Sequence, residues 1–443
     1  MRSGVIVLCL VQFVDVLGVT SVVTAIPAIL TGIGAPSGAA GPVSTTYAMF
    51  FGAMLILGAR LGDRFGHRRI LLTGIAVFGA VSIIGGTAAD LPQVLIARGV
   101  QGAAAAISAP SALRLILHAT PSGGERSRAL AAWSAVGAMA GATGFLVGGL
   151  LTTTLGWRAV FWVNAPVSVV LFIAVLLAIR EQPTDRDPSR LDVLGALLLV
   201  TAVMPVVAGA ALLERAESRV LGVALLVVGA AVGGLLVWRF RVAASPLVPR
   251  AAFKAISLRR GTIQSFVNTG TTSSASVLAT LVLQDRLGVS PLLSGVTLMS
   301  FSVAVIAGSA VAGRVASKVG PDDLAAAGLA TISCGNIVLA LTFGSWFGVG
   351  AGAATLGFGL AAASVAATGL GTTVPGALEG SAAGIVNTGA QIGTAIGTAV
   401  VVLVATSFSP PIGWLVAAIA AAACAFWCAT RSRLHGPASS SAS

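Results

Sequence analysis

Charge is what this chain has least of. Only 9% of its 443 residues are Asp, Glu, Lys or Arg, while 56% are hydrophobic. So little polar surface cannot cover a water-soluble globule. Acids are scarcer than bases, 14 residues against 26. The positive excess would suit a nucleic-acid partner if it were clustered, but it is dispersed over short connections, which argues against that class. Cysteine is sparse too. Cys9, Cys334, Cys424 and Cys428 all lie in apolar stretches. Cys424 and Cys428 share a helix face, yet no histidine or acid joins them, so the four read as core- or lipid-facing filler with no disulfide framework and no metal site. No nucleophile–base pair, phosphate loop or sizeable soluble segment is present, so the chain does not read as an enzyme and no cofactor is expected.

What the chain has in plenty is the apolar run of about twenty residues, long enough to cross a bilayer as a helix. Fourteen such spans are expected, at about 4–30, 42–60, 70–89, 93–117, 128–151, 160–180, 192–213, 219–239, 260–283, 292–313, 323–343, 346–368, 381–406 and 411–430. The first is too long for a cleaved leader and carries Asp15. Alternating the connections between two sides separates the basic residues sharply. Arg158, Arg215, Arg219 and Arg286 fall on one side, Arg98 falls within a span, and the rest share the side of both termini. By the positive-inside bias that side is the cytoplasm of a plasma-membrane protein.

The chain also repeats itself. Arg60-Leu-Gly-Asp-Arg-Phe-Gly66 recurs 254 residues later as Arg314-Val-Ala-Ser-Lys-Val-Gly320, and Glu125-x-Ser127 recurs at the same offset as Glu379-x-Ser381. Two pairs at one offset indicate duplicated halves of six spans, with the surplus pair inserted between them. The expected division is a first half at 1–180, a linker and inserted pair at 181–250, a second half at 251–430 and a cytoplasmic tail at 431–443. The inserted pair has no ionisable residue in its core and reads as a peripheral spacer. Ser317 stands where the repeat has Asp63, so the second copy lacks that acid.

Gly58-Ala-Arg60-Leu-Gly62-Asp63-Arg64-Phe-Gly66-His67-Arg68-Arg69 lies between two apolar runs. It reads as a tight hydrophilic connection in which Gly62 and Gly66 permit positive φ and close approach. Asp63 among the arginines suits it to breaking and remaking ion pairs; a plain positive-inside anchor is the alternative. The stretch resembles the loop between helices 2 and 3 of the major facilitator superfamily, Gly-x-Leu-Ala-Asp-Arg-x-Gly-Arg-Lys, with Ala59 and His67 as departures. Leu95-Ile-Ala-Arg98-Gly-Val-Gln101-Gly102 is similar to that family's helix 4 pattern. Trp157-Arg158-Ala-Val-Phe161-Trp-Val-Asn164-Ala-Pro166 and Gln284-Asp-Arg-Leu-Gly288 resemble stretches of its fourteen-helix drug:proton antiporters. Two places differ. Gly144-Phe145-Leu-Val-Gly148-Gly149 has Phe where the antiporter pattern has Pro, so any bend in this span must come from glycines 137, 141, 144, 148 and 149, which equally suit close helix packing. In the first span Gly18 stands where the family has a second acid after Asp15.

The resemblance implies two six-helix halves that rock around a central site. Asp15 and Arg98 are the only charged residues deep within spans, where charge is costly and usually faces a cavity or a partner. Asp15 lies about 16 Å from the inner end of its helix and Arg98 about 8 Å from the outer end of its own, at 1.5 Å per residue. Their levels differ by several ångström, within reach of a long side chain or a bridging water. The pair suits either proton coupling or a static dock between the first and fourth spans. Gln12, Thr20, Thr24, Tyr47, Gln101, Trp133, Met139, Gln264, Asn268, Asn387 and Gln391 are the candidate lining of a substrate pocket between the halves. Sparse charge points to bulky, largely apolar or cationic small molecules. The partners expected are that substrate, protons and the lipid bilayer, with the chain as a monomer. An importer of a small metabolite and a non-transporting membrane sensor or scaffold remain as alternatives.

Overall fold

The computed structural model describes residues 3–120, 124–180, 192–213, 216–243, 246, 248, 250–316, 318–374 and 376–434. They form α1 (Ser3–Gly32), α2 (Ala40–Phe65), α3 (His67–Gly86), α4 (Leu91–Ala119), α5 (Gly124–Leu155), α6 (Arg158–Trp162), α7 (Asn164–Ala178), α8 (Val193–Leu212), α9 (Arg219–Val242), α10 (Ile256–Leu281), α11 (Pro291–Val315), α12 (Pro321–Thr342), α13 (Trp346–Thr372), α14 (Gly376–Ser407) and α15 (Pro410–Leu434). Among the described residues there is no strand. The short α6 and α7 make one crossing interrupted at Val163, so the helices make fourteen crossings.

Thirteen crossings are long and apolar enough to span a membrane by length and composition. The exception is α10, which is crowded with Ser, Thr, Gln and Asn. Its hydroxyls turn inward: Thr262 donates to the Leu258 carbonyl at 2.7 Å and Thr272 to that of Asn268 at 2.8 Å. Bonds of this kind satisfy a hydroxyl within its own helix, so α10 can stand buried among its neighbours.

Helix starts follow ordinary end chemistry. Asp90 caps α4 by accepting from Gln93 N at 2.9 Å, and Ser290 caps α11 by accepting from Leu293 N at 3.3 Å; each is followed by an early proline. Two arginines cover helix ends at the side of the termini. Arg68 donates to the Leu176 carbonyl of α7 at 3.0 Å, and Arg126 donates to Leu117 and Thr120 at the end of α4.

The connection expected over Gly58–Arg69 is shorter than its polarity suggests. Helix α2 continues through Arg60, Gly62 and Asp63 to Phe65, and α3 begins at His67. Gly66 alone makes the break, at φ +96°, a conformation that glycine adopts without steric cost. Gly62 is helical, and a Cβ there would meet His67 Nδ1 at 2.2 Å.

The same neighbour pairs recur in the two sets of six crossings. In the first, α1 packs on α5, α2 on α4, α3 on α4 and α3 on α7; in the second, α10 packs on α14, α11 on α13, α12 on α13 and α12 on α15. The sets meet along two seams, α5 with α11 and α2 with α14.

The inserted pair corrects the expectation of a peripheral spacer. α9 packs on α8 and exposes Val220, Val227 and Trp238, but α8 lies against both α2 and α14 and so covers a seam. Ala196, Leu199 and Val200 of α8 share an apolar cluster with Ala53, Ile56 and Leu57 of α2 and Ala382, Ile385 and Val386 of α14. The pair is also clamped at one end. Arg239 donates to Asp192 Oδ1 at 2.7 and 3.0 Å, and Asp192 caps α8. Ser317, the 181–190 linker, the tail beyond 434 and the side chains of Ser127, Glu379 and Ser381 lie outside the described residues.

Candidate functional site

Asp15 and Arg98 both lie deep in the first six crossings, 8% and 1% exposed. They are not ion-paired: among the described residues no Asp15–Arg98 contact falls within 4.0 Å, the limit for a salt bridge. Ser108 of α4 donates to Asp15 Oδ2 at 3.3 Å. Arg98 Nη1 instead donates to the Gly18 carbonyl at 3.1 Å and to Gln101 Oε1 at 3.3 Å. Where the resemblance has a second acid, Gly18 therefore offers a backbone oxygen to the same guanidinium. A Cβ at Gly18 would come 3.1 Å from the Phe78 ring.

Tyr47 touches both residues. Its hydroxyl donates to the Asp15 carbonyl at 3.4 Å, and the Arg98 guanidinium carbon lies 4.8 Å from its ring centroid. The network runs on into α3, because Gln101 Nε2 donates to Ser82 Oγ at 2.8 Å and Ser82 donates to the Phe78 carbonyl. Four helices thus share one buried polar chain. Ser82 and Ser108 escape a reading of charge alone. The signal available in the sequence is spacing: Gln101 and Ser108 are seven residues apart, hence on one face of α4.

The other candidate lining residues do not form one pocket. Thr20 and Thr24 bond to carbonyls of their own helix. Trp133 packs into the apolar interior of the first six crossings, and Met139 is exposed. Gln264 reaches Asp322 and Cys428 at 3.4 Å each, while Asn268 donates to Ser364 Oγ at 2.9 Å, so both face the interior of the second six. This also corrects the reading of Cys428 as filler without polar company, since Arg260 and Asp322 pair beside it. Gln391 bonds Asn387 and lies against Gly52 at the α2–α14 seam, and Gln12 lies near Gly137. A cavity of about 450 Å³ opens among α1, α5 and α7, lined by Asn164 and by apolar residues that include Phe13, Leu17, Val147 and Pro166. It is not between the halves.

The end of the bundle away from the termini is closed. Gln284 Nε2 donates to the Thr24 carbonyl at 2.7 Å, and Leu292 N donates to Thr153 Oγ1 at 3.1 Å, each across the two sets of helices. Val277, Leu281 and Val402 join Val22, Ile26 and Ile29 in one apolar cluster there. The glycines of α5 serve close packing. A Cβ on Gly144 would fall 1.8 Å from Thr20 Oγ1, one on Gly148 2.1 Å from the Ser21 carbonyl, and one on Gly149 2.4 Å from that of Pro291. Phe145, in the place of the expected proline, meets Phe301 of α11 edge-on across the seam at 6.5 Å. Toward the other end, Met139, Val303 and Ile306 on α5 and α11 are exposed.

At that end Asp63 Oδ1 lies 3.1 Å from His67 Nε2, four residues on, and the His67 ring lies 6.4 Å from that of His118. The acid thus has a partner in the residue that departs from the family stretch. Arg64 sits 5.4 Å from the Phe65 ring centroid.

Comparison with known proteins gives a consistent picture. The profile of the Major Facilitator Superfamily matches residues 8–241 and 261–442. The puromycin resistance protein of Streptomyces alboniger is 34% identical over 76% of this chain and 67% of its own length. The tetracenomycin C resistance and export protein of Streptomyces glaucescens is 32% identical over 79% of this chain and 66% of its own. The chain therefore spans about two thirds of the length of these relatives. Among solved structures, a POT family transporter in complex with 5-aminolevulinic acid superposes with a TM-score of 0.74 at 13% identity, covering 98% of this chain and 97% of that one. A bacterial homologue of the human lysosomal transporter Spinster gives 0.70 at 14%, covering 98% of each chain. At such identities the likeness is one of fold.

Proposed function

This chain belongs to the Major Facilitator Superfamily, and from that premise we propose that it is a proton-coupled exporter of bulky, largely apolar or cationic small molecules. Transport proceeds by alternating access: residues 1–180 and 251–430 rock as two halves about the seams, with both termini in the cytoplasm. The basic residues on the side of the termini support that orientation. In it the closed end faces outward, and the conformation is one that admits substrate from within.

The observation that carries the reading is Asp15, a carboxylate deep in the membrane, held by one hydroxyl and by no ion pair. A carboxylate so placed can take up and release a proton as water reaches it from one side and then the other, without first breaking a salt bridge. Export rather than import is supported by the relatives named for resistance and export. The sparse charge in the interior suits ligands with few charges to satisfy.

The test is substrate–proton exchange in proteoliposomes under an imposed pH gradient, with puromycin first and a panel of cationic and neutral drugs after it. Inverted vesicles separate efflux from uptake. Concentration of no compound under any gradient, or accumulation in the uptake direction alone, would refute the proposal.

A further inference from the structure

Tyr47 is the single tyrosine among 443 residues, and it stands where α1, α2 and α4 meet. On one side it bonds the backbone of Asp15, and on the other its ring lies under Arg98. It is 3% exposed and held from every direction. Phe51 stacks on it at 6.2 Å, and Gly102 lets α4 come so close that a Cβ there would meet the Tyr47 carbonyl oxygen at 2.2 Å. Asp15 and Arg98 are the two charged groups that act on it. The other helices packed on α2 add none at this depth. α8 contains no ionisable residue, α14 none after Glu379, and those of α3 and α10 sit within their first five residues.

We propose that Tyr47 is the positioning residue that ties the protonation of Asp15 to the placement of Arg98. The proposal rests on Asp15 being the proton carrier. With the ring in place, the guanidinium is satisfied by the Gly18 carbonyl, Gln101 and the aromatic face, all of them uncharged. It is thereby kept from the Asp15 carboxylate. Removing the ring frees one face of the guanidinium, and Asp15 is the only anion deep in the same helices. An ion pair formed there would hold the carboxylate charged and unavailable to a proton. The hydroxyl does a second job, fixing the α1 backbone at the residue that titrates.

The uniqueness of Tyr47 supplies a direct probe. Tyrosine labelled with ¹³C at Cζ gives one resonance from the purified 443-residue chain. In wild type that resonance should move with pH by more than its linewidth. In Asp15→Asn the movement should vanish, and Arg98→Gln should shift the resting position. The same pH course in wild type and Asp15→Asn overturns the proposal. Proteoliposomes give a second readout with puromycin as the probe. Tyr47→Leu should lower the number of protons moved per puromycin and cut uphill export about tenfold, whereas Tyr47→Phe, which keeps the ring, should stay within about threefold of wild type. A merely structural defect would reduce both fluxes together and leave the ratio unchanged, and that result also overturns the proposal. If wild type moves puromycin without protons, the proton-coupled reading fails and the Tyr47 proposal with it. If wild type is coupled and Asp15→Asn uncouples it, yet Tyr47→Leu keeps the wild-type ratio, only the Tyr47 proposal fails.

Discussion

A carboxyl group in the middle of a bilayer helix costs free energy in every state where it is charged, so its persistence at position 15 asks for a use. Asp15→Asn keeps the shape and the bond from Ser108 but cannot carry a proton. Uphill export should fall about tenfold or more, while insertion and downhill exchange persist. Flux assays with and without a pH gradient check this, and wild-type accumulation in Asp15→Asn would reduce the residue to a dock between helices. Asp63 works at a different level. Its bond to His67 joins the last turn of α2 to the first of α3. A part-exposed pair of this kind contributes about 0.2–1 kcal/mol, so Asp63→Asn should shift the balance between states about twofold and slow turnover more than it weakens binding. Cysteine-accessibility rates at the two ends, set beside substrate affinity, decide the point; a pure affinity loss would contradict it. Asp15 and Arg98 were legible in the sequence because charge within an apolar run is rare enough to stand out. Their partners were not. Tyr47 and Ser108 look like ordinary packing hydroxyls until the crossing of α1, α2 and α4 sets which faces meet. Arg98 turned to a glycine carbonyl, which no side-chain pattern announces.

The presence and number of the crossings were the most legible features, since length and apolarity settle them. Several helix ends lie three to five residues from where apolarity alone puts them. The misreadings have physical causes. The polarity of Gly58–Arg69 predicts a loop, but polarity marks exposure to water and not the end of a helix, and one glycine turn is enough to reverse the chain. The glycines of α5 were ambiguous between bending and packing, and the neighbouring backbones at Gly148 and Gly149 favour packing. Gly148→Leu should drive α1 from α5 and destabilise the protein by about 1–3 kcal/mol, as overpacking does. Gly234→Ala on α9 meets nothing within 4 Å and should gain about 0.5–1 kcal/mol of helix stability instead. Melting curves of the two purified variants check both signs. The inserted pair poses a sharper question, because α8 covers the α2–α14 seam. In lipid, however, hydrocarbon tails can replace an apolar helix at little cost. Replacing residues 190–245 with a flexible cytoplasmic linker should therefore leave measurable export. Complete loss in a correctly inserted protein would show that α8 shapes the pathway.

Across the whole molecule, the repeat offset and the repeated neighbour pairs agree, but the closed end could not be foreseen, because closure belongs to one state and sequence describes all of them. Two hydrogen bonds cross that end. Deleting one, by Gln284→Ala, forfeits about 1 kcal/mol and should move the balance toward the open form about fivefold. Spin labels at Thr31 and Leu293, both exposed at that end, should then show longer distances; an unchanged distribution would mean that the apolar cluster alone holds the closure. The aromatic residue at position 145 has a mechanical corollary. Without the proline, α5 is one uninterrupted rod from Gly124 to Leu155. Its tightest contacts with neighbouring backbone, at Gly148 and Gly149, lie near one tip and act as a fulcrum. At 1.5 Å per residue the arm toward Gly124 is about 37 Å and the arm toward Leu155 about 9 Å. A displacement of about 1 Å at the short arm would swing the long one by about 4 Å. A jointed helix would dissipate that gearing; an unjointed one delivers it to the opposite face of the membrane.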